Sequence, residues 1–469
     1  MGRIVPRMSR LVYIQTFGCQ MNVYDSERIL QVLRPLQYQP TDDVSRADLI
    51  LLNTCTVRDK AEQKVLSALG RYAPLKQLNP ELVLGVAGCV AQQEGANLLK
   101  KVPYLDLVFG PDNIRALPEL LGTVRDSGQR VAETTLHKKK DGYEFLLADG
   151  LEHDGGPTAM VTVMKGCNKT CSYCIVPQVR GRELSKPWDQ TVLEVERLVA
   201  AGAREVMLLG QNVNSYGHDR EDGVKFPELL DRVAAVAGLK RLRFTTSHPW
   251  DCTDALVARF DGRLPVLCEY FHLPVQSGSD RVLAEMRRGY TAAEYLERAA
   301  ALRQTCPGLF LTTDIIVGYP GETEADFEQT LALVRAARFD SLFGFKYSPR
   351  PGTIAGKLDD DVPDVEKGRR LDEVFRIANA FREERMARYL DQVVEVLVEG
   401  PSRLSRKEEP SAPSLGPLQL MGRTRTNLIV NFPVPHGAMN LARFVGELVP
   451  IHITRIYPHS LYGELVQVA

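Results

Sequence analysis

The sequence predicts an α/β chain in three parts. These are an N-terminal parallel α/β sheet, a central partial barrel of six strand–helix units, and a small C-terminal β-barrel. Three observations predict it. Short, nearly continuous apolar runs alternate with helical patterns through the first two parts. Polar stretches with Gly and Pro separate the parts. From Val393 helical spacing gives way to short β-like runs. A chain of 469 residues has room for about three domains. With 44% hydrophobic and 25% charged residues the composition is that of a soluble globular protein, and no uninterrupted apolar run approaches the ~20 residues of a membrane span.

The first part contains three runs that each close on a cysteine: Val12 to Cys19, Asp48 to Cys55 and Leu82 to Cys89. Apolar runs of this length read as strands buried on both faces of a parallel sheet. Helical patterns from Asp25 to Leu33 and from Asp59 to Leu69 lie between them. Ligands bind beyond the carboxyl ends of such strands, where all three cysteines fall. One Cys alone is more often a small buried hydrophobe. Three at equivalent strand ends point to a three-thiolate iron–sulfur site, with Gly18 and Gly88 letting the backbone bend beside it. Ahead of this part, Met1 to Arg10 carries Arg3, Arg7 and Arg10 with no apolar stretch behind them, so it reads as a tail and not a secretory signal.

Residues 126–157 hold His137-Lys-Lys-Lys140 and Asp154-Gly-Gly-Pro157 with few large apolar residues, and read as a linker. The lysine run is either an RNA-backbone contact or a solvated face. Next comes Gly166-Cys-Asn-Lys-Thr-Cys-Ser-Tyr-Cys, a C-x3-C-x2-C motif made by Cys167, Cys171 and Cys174. Structural zinc sites usually take four protein ligands, and no fourth Cys or His is near. Three cysteines on a four-iron, four-sulfur cube leave one iron open. A degenerate zinc knuckle or clustered buried thiols are the alternatives. The spacing, with Tyr173 before the last cysteine, resembles the signature of the radical S-adenosylmethionine (SAM) enzymes. The resemblance implies that the open iron chelates SAM and that an electron from the cluster cleaves it.

The strands of the central part are Ala159–Met164, Glu205–Leu209, Arg241–Thr245, Glu269–Pro274, Leu309–Val317 and Ser341–Tyr347. The intervening helices include Gln190–Ala201, Pro227–Ala237, Asp254–Phe260, Ala292–Gln304 and Glu324–Ala336. Six strands are too few for an eight-stranded barrel and give a partial (β/α)6 barrel, the core fold of the radical SAM superfamily. The loops after the strands are rich in Gly and polar residues. Their shared position at one barrel mouth makes Gly210, Gln211, Asn212, Ser247, Gln276 and Gly318 candidates for binding SAM. Arg180 and Arg182, just past the cysteine motif, are either partners for a carboxylate or phosphate, or a solvated pair. Cys252, Cys268 and Cys306 match no ligand spacing and read as packing residues.

A second junction at Asp359–Asp361 and Pro363 precedes a helix from Val365 to Leu390. The β-like runs beyond it are Val393–Val398, Leu428–Phe432, Leu448–Ile453 and Leu461–Val468. Gly422-Arg-Thr-Arg-Thr-Asn427 precedes the second run and makes Arg423, Arg425 and Asn427 candidate RNA-binding residues. This part resembles the TRAM domain, a small RNA-binding barrel; a lid or packing role is the alternative. Residues 401–417 read as a loop inserted in it. The domains are therefore expected at 10–125, 158–390 and 391–469, with the linker at 126–157.

The three parts in this order resemble the radical SAM methylthiotransferases. The strings that carry the resemblance are Gly18-Cys-Gln-Met-Asn-Val-Tyr-Asp-Ser-Glu27, Asn53-Thr-Cys-Thr-Val-Arg-Asp-Lys-Ala61, Leu209-Gly-Gln-Asn-Val-Asn-Ser-Tyr216 and Ser348-Pro-Arg-Pro-Gly-Thr353. They point to the branch acting on N6-(dimethylallyl)adenosine (i6A) in tRNA. The resemblance implies methylthiolation at C2 of that base at position 37, near the anticodon, giving ms2i6A. It implies two [4Fe-4S] clusters, one SAM-cleaving on Cys167, Cys171 and Cys174 and one auxiliary on Cys19, Cys55 and Cys89. SAM, the tRNA anticodon stem-loop, an external electron donor and a sulfur source are the implied partners, for a monomer with no membrane contact. Nine cysteines without a signal peptide suit a reducing cytoplasm and metal ligation better than disulfides. The net charge of −1 means that RNA binding needs a local basic patch. Readings from other classes are an RNA-binding protein with structural or redox-sensing clusters, and a simple electron carrier. Against the carrier, closed four-cysteine ligation suits electron transfer better than open irons do.

Overall fold

The computed structural model describes residues 9–56, 61–137, 145–146, 156–402, 418–434 and 441–466. The tail arginines Arg3 and Arg7, the run Lys138–Lys140 and the inserted loop from residue 403 to 417 lie outside these residues. The chain divides into two compact units. The first comprises Met1–Leu151, Met164–Lys169 and Cys174–Lys186; the second comprises Glu152–Val163, Thr170–Tyr173 and Pro187–Ala469.

The first unit is built on a parallel sheet of six strands: β1 (Arg10–Thr16), β2 (Tyr38–Pro40), β3 (Leu49–Thr54), β4 (Val83–Gly88), β5 (Leu107–Phe109) and β6 (Val131–Glu133). Their spatial order is β2-β1-β3-β4-β5-β6. Every residue of β3 and β4 is buried. Alternate side chains leave opposite faces. Leu49 and Leu51 pack with Ile29, Leu33, Leu117 and Leu121 on one side, while Ile50 and Leu52 pack with Val65, Ala68 and Leu69 on the other. Helices Gln20–Leu33 and Leu117–Ser127 therefore cover one face and Ala61–Leu78 the other. The three long strands are the apolar runs of the sequence. The short strands β2, β5 and β6 carry too few residues to show periodicity. β6 falls inside 126–157, so the stretch read as a linker opens with a strand of this sheet. A two-stranded antiparallel ladder, Met164–Lys165 with Leu184–Ser185, also belongs to this unit.

The second unit carries β7 (Thr158–Thr162), β8 (Glu205–Leu209), β9 (Arg241–Phe244), β10 (Tyr270–His272), β11 (Phe310–Val317) and β12 (Ser341–Lys346). They pair in parallel as β7-β8-β9 and β10-β11-β12. A bridge from Leu242 to Leu267, with the Cys268 amide donating to the Leu242 carbonyl at 3.0 Å, joins the two triplets into one open row of six. Helices alternate with the strands, each set by local signals. Thr291 with Glu294 and Thr323 with Asp326 close capping boxes at the starts of Ala292–Thr305 and Glu324–Ala337. The partial barrel expected from the strand–helix repeat is the fold observed.

Beyond the helix Asp364–Ala387, five strands close a small barrel: β13 (Val393–Pro401), β14 (Gln419–Arg423), β15 (Ile429–Pro433), β16 (Leu448–Tyr457) and β17 (Ser460–Leu465). Their order is β13-β14-β15-β17-β16. Val396, Val398, Leu420, Val430, Phe432, Ile451, Ile453 and Leu461 fill it. β14 was not among the runs read from the sequence. Within this unit two buried arginines of β9 grip the barrel. Arg241 donates to the Arg423 carbonyl at 2.6 Å and pairs with Glu395 at 2.9 Å. Arg243 donates to the Thr424 carbonyl at 2.6 Å and pairs with buried Glu205 at 2.8 Å.

Removing one partner of a buried ion pair strands the other charge. Arg243→Ala is therefore expected to destabilise the second unit by about 3–5 kcal/mol, read by denaturant unfolding. An exposed control such as Arg376→Ala is expected to stay within about 0.5 kcal/mol of the parent.

Candidate active site

In the first sheet β1, β3 and β4 are neighbours, and the register sets Thr16 beside Asn53, Asn53 beside Ala87, and Thr54 beside Gly88. The chain leaves the three strands at one level. Cys55 and Cys89 are the next residues after β3 and β4, and Cys19 follows β1 after Phe17 and Gly18. Gly18 has φ +135, and a Cβ there would sit 2.4 Å from the Cβ of Cys55 and 2.6 Å from Asn22 Oδ1. Only glycine lets the first strand's exit lie against the second.

A buried polar network holds this level. Asn22 Oδ1 accepts from the Cys19 amide at 3.4 Å and from its thiol at 3.4 Å, while Asn22 Nδ2 donates to Asn53 Oδ1 at 3.2 Å and to the Thr54 carbonyl at 3.3 Å. Asn53 Nδ2 returns bonds to the Asn22 carbonyl at 2.8 Å and to Ser26 Oγ at 2.9 Å. The Cys19 thiol is lowered to about 6, chiefly by hydrogen bonding with Cys55 and then by the charge of Arg180. Burial pushes the Cys89 thiol up, opposed by the same arginine. Arg180 is buried; its Nε donates to Cys89 Sγ at 3.3 Å and its Nη2 to Asp25 Oδ2 at 2.6 Å. Lys165 and Asp112 form a second buried pair in this unit, at 2.5 Å. Arg182, two residues from Arg180, is exposed.

Of the C-x3-C-x2-C motif, Cys167 and Cys174 belong to the first unit. The Cys167 amide donates to the Gly181 carbonyl at 3.1 Å, and Asn168 and Glu183 exchange backbone-to-side-chain bonds at 3.1 and 3.2 Å. Gly166, at φ +71, lies where a Cβ would meet the Arg182 carbonyl at 2.0 Å. Cys171 belongs to the second unit. Beside it Ser172 is anchored to the Met286 and Glu285 carbonyls at 3.1 and 2.8 Å and to Tyr319 Oη at 2.9 Å. Arg288 Nη1 donates to Cys171 Sγ at 3.3 Å. All three motif cysteines are partly exposed.

The candidate SAM residues stand at the carboxyl ends of β8, β9, β10 and β11 in the second unit. Asn212 Nδ2 donates to Asp251 Oδ2 at 2.7 Å. Ser247 is buried, and its hydroxyl makes no hydrogen bond among the described residues. Thr246 and Gln276 hold φ values of 70 and 80, which non-glycine residues adopt at a cost and mostly at functional sites. Gly318 donates its amide to Glu322 at 2.6 Å, and Glu322 is held by Arg370 at 2.9 Å. Gly210 is buried and Gln211 is half-buried. Asn214 and His248 exchange two bonds of 2.9 Å that tie the loops after β8 and β9 together.

In the C-terminal barrel Arg423 pairs with Glu399 at 2.9 Å and donates to Asn427 Oδ1 at 3.2 Å. Arg425 pairs with Glu269 at 2.8 Å and donates to the Leu267 carbonyl at 2.7 Å. All three candidate RNA residues are half-exposed. The remaining cysteines differ. Cys252, Cys268 and Cys306 are buried, and burial pushes the first two thiols up to about 12 and about 11.

Residues 11–110 match the family described as "Uncharacterized protein family UPF0004", residues 161–334 the Radical SAM superfamily, and residues 387–466 the TRAM domain. A tRNA-2-methylthio-N(6)-dimethylallyladenosine synthase of Geobacter metallireducens is 50% identical over 97% of this chain and 98% of its own. The enzyme of the same name from Syntrophobacter fumaroxidans is 48% identical over 97% and 96%. The chain belongs to this family. Among solved structures, the radical S-adenosylmethionine methyltransferase TsrM from Kitasatospora setae covers 74% of each chain at 16% identity and a TM-score of 0.54, a likeness of fold.

Among the described residues no three His, Cys, Asp or Glu side chains stand as a ready-made metal cage. The donor chemistry nevertheless fits iron–sulfur clusters: soft thiolate ligands, three per set, with a guanidinium at one sulfur of each. The family's cofactors are two [4Fe-4S] clusters and SAM. Asn22, Asn53, Asp25 and Arg288 went unassigned in the sequence. The first three sit in the strings quoted above, but nothing local marks Arg288.

Reconstituted protein is expected to hold about eight irons per chain, and the C167A/C171A/C174A variant about four. Loss of all iron from that variant would contradict two independent sites. Asn22→Leu leaves Asn53 Oδ1 and the Thr54 carbonyl without their buried donor, at about 1–3 kcal/mol. It is expected to lower iron retention in the auxiliary set alone, measured by iron content in the C167A/C171A/C174A background.

Proposed function

We propose that Cys167, Cys171 and Cys174 hold the SAM-cleaving cluster and Cys19, Cys55 and Cys89 the auxiliary one, in an enzyme that methylthiolates tRNA. The overall change replaces the C2 hydrogen of N6-(dimethylallyl)adenosine with a methylthio group, giving ms2i6A. The observation that carries the assignment is the placement of three cysteines at the carboxyl ends of three adjacent, in-register strands, in a chain that also bears C-x3-C-x2-C. When bound, the clusters and SAM supply the one-electron chemistry and the sulfur mooring that side chains cannot.

The protein's own work is binding and orientation. An aromatic C–H is not acidic enough for a side-chain base near neutral pH, so no residue is assigned that task. Gly210, Gln211, Asn212, Ser247, Gln276 and Gly318 are proposed to receive SAM. The strained backbone at Gln276 and the unbonded Ser247 hydroxyl support the assignment. Arg423 and Asn427 are proposed to meet the tRNA anticodon stem-loop, with Arg425, through Glu269, holding the turn in place. The proposed functional division is 10–125, 126–157, 158–390 and 391–469, with β6 attaching the second segment to the first sheet. The working form is proposed to be a cytoplasmic monomer drawing on an external electron donor and sulfur source. Among the described residues no helix is long and apolar enough to cross a membrane.

Nucleoside mass spectrometry of tRNA from a deletion strain is expected to show i6A without ms2i6A, restored by the gene and not by a C19A/C55A/C89A copy. Normal ms2i6A in the deletion strain would overturn the substrate assignment. Anaerobically, the reduced protein is expected to release 5′-deoxyadenosine from SAM. Arg423→Ala is expected to weaken tRNA binding at low salt and reduce the salt slope by about one, measured by titration at several ionic strengths.

A further inference from the structure

A guanidinium cannot be deprotonated in a protein, so a buried one imposes a fixed positive charge on its surroundings. Such a charge needs an anionic partner. Among the buried arginines, Arg180 and Arg288 each donate to the sulfur of a candidate ligand.

In the first unit Arg180 is anchored by Asp25 at 2.6 Å, which aims its Nε–H at Cys89 Sγ, 3.3 Å away. Val179 and Ile175 pack on Cys89 and close this contact off from water. In the second unit Arg288 is 5% exposed. Its partners are Tyr290 Oη at 2.8 Å, the Pro274 carbonyl at 2.9 Å, Tyr173 Oη at 3.4 Å and Cys171 Sγ at 3.3 Å. Among the described residues no carboxylate pairs with it. Of its four partners only the sulfur is an anion once it ligates a metal. Asp25 leaves Arg180 nearly balanced before any cluster is present, whereas the described residues give Arg288 no counter-charge except the thiolate.

We infer that each three-cysteine site has its own arginine: Arg180 serves the auxiliary cluster through Cys89, and Arg288 serves the SAM-cleaving cluster through Cys171. Each is a positioning residue. It fixes one ligand sulfur and, by a charged N–H···S bond, favours the more negative, reduced state of its own cluster, raising that cluster's reduction potential. The inference rests on the cysteine assignments proposed above.

The test is a crossed one. Each cluster is isolated by alanine substitution of the other three cysteines, and its potential is followed by electron paramagnetic resonance without SAM. The parent proteins come first: each is expected to bind about four irons. A parent with no cluster overturns the cysteine assignment, and this inference with it, before any arginine is changed. Once both single-cluster parents are loaded, R180Q is expected to shift the auxiliary potential to more negative values and leave the other where it was; R288Q is expected to do the reverse. R180K and R288K, which keep the charge, are expected to shift their clusters less than the Gln variants. A Gln variant that moves neither cluster, or both alike, overturns the inference. An R288Q protein with an unchanged potential and weakened SAM binding by equilibrium dialysis overturns the Arg288 half, because it makes Arg288 a SAM contact. Where a Gln variant does not fold, the Met variant, which also removes the charge, decides. A shift in potential or resonance confined to its own cluster supports the inference, and parental values overturn it.

Discussion

Parallel strands in register end together, and the proposed auxiliary site depends on that fact. The pairings of Thr16 with Asn53 and of Thr54 with Gly88 leave three chain exits side by side. Each exit is short and each reaches a cysteine. A slip of one residue in β3 would turn Leu49 and Leu51 onto the face now filled by Ile50 and Leu52, and would also carry Cys55 off the common level. The core and the site are thus specified by the same register. The polar groups at the exits follow from it. Asn22 and Asn53 bond each other, and they satisfy the Thr54 carbonyl at the end of β3 and the Asn22 carbonyl in the helix.

Arginine does three different jobs in this chain, separated by burial and by what each guanidinium meets. Arg241 and Arg243 lie on a buried strand and reach backbone carbonyls of the C-terminal barrel, so they help to fix the barrel beside it. Arg425 answers from the barrel side through Glu269. Buried pairs of this kind add little net stability over a well-packed apolar contact, but they are exacting in geometry. Arg180 and Arg288 meet sulfur instead. Arg423, half-exposed and paired among the described residues with Glu399 and its own turn, is proposed to meet tRNA.

Much of this was legible in the sequence, and the limits have physical causes. The long strands and helices announce themselves because burial on two faces demands runs of apolar residues. The strand Glu205–Leu209 has the bounds read from the sequence. The three-residue strands β2, β5 and β6 do not, because three residues carry no period, and β6 consequently hid in an apparent linker. β14 was hidden for another reason: Gln419 and Arg423 are polar and Gly422 has no side chain, so its apolar signal is only Leu420 and Met421. In Val179-Arg-Gly-Arg-Glu183 nothing local distinguishes the two arginines, yet one is buried against Asp25 and the other is exposed. Arg288 was missed because its partner Cys171 lies 117 residues away.

The cysteines show how the fold decides which thiols can ligate. A metal ligand must be a thiolate, so its surroundings must tolerate negative charge. Cys252 and Cys268 are buried, and burial pushes both thiols far above neutral pH, at Cys268 even against the charge of Arg243. Cys19 is exposed, is bonded to Cys55 and senses Arg180, which together hold it at about 6. Cys89 is as buried as Cys252, but it has a guanidinium nitrogen at 3.3 Å to offset the loss of water. Cys171 has the same from Arg288, with partial exposure besides. Counting nine cysteines could not separate these classes. Spacing along the chain selected Cys167, Cys171 and Cys174, and strand-end position selected Cys19, Cys55 and Cys89. In the fold, two of these six candidate ligands, Cys89 and Cys171, each receive a direct N–H bond from a guanidinium.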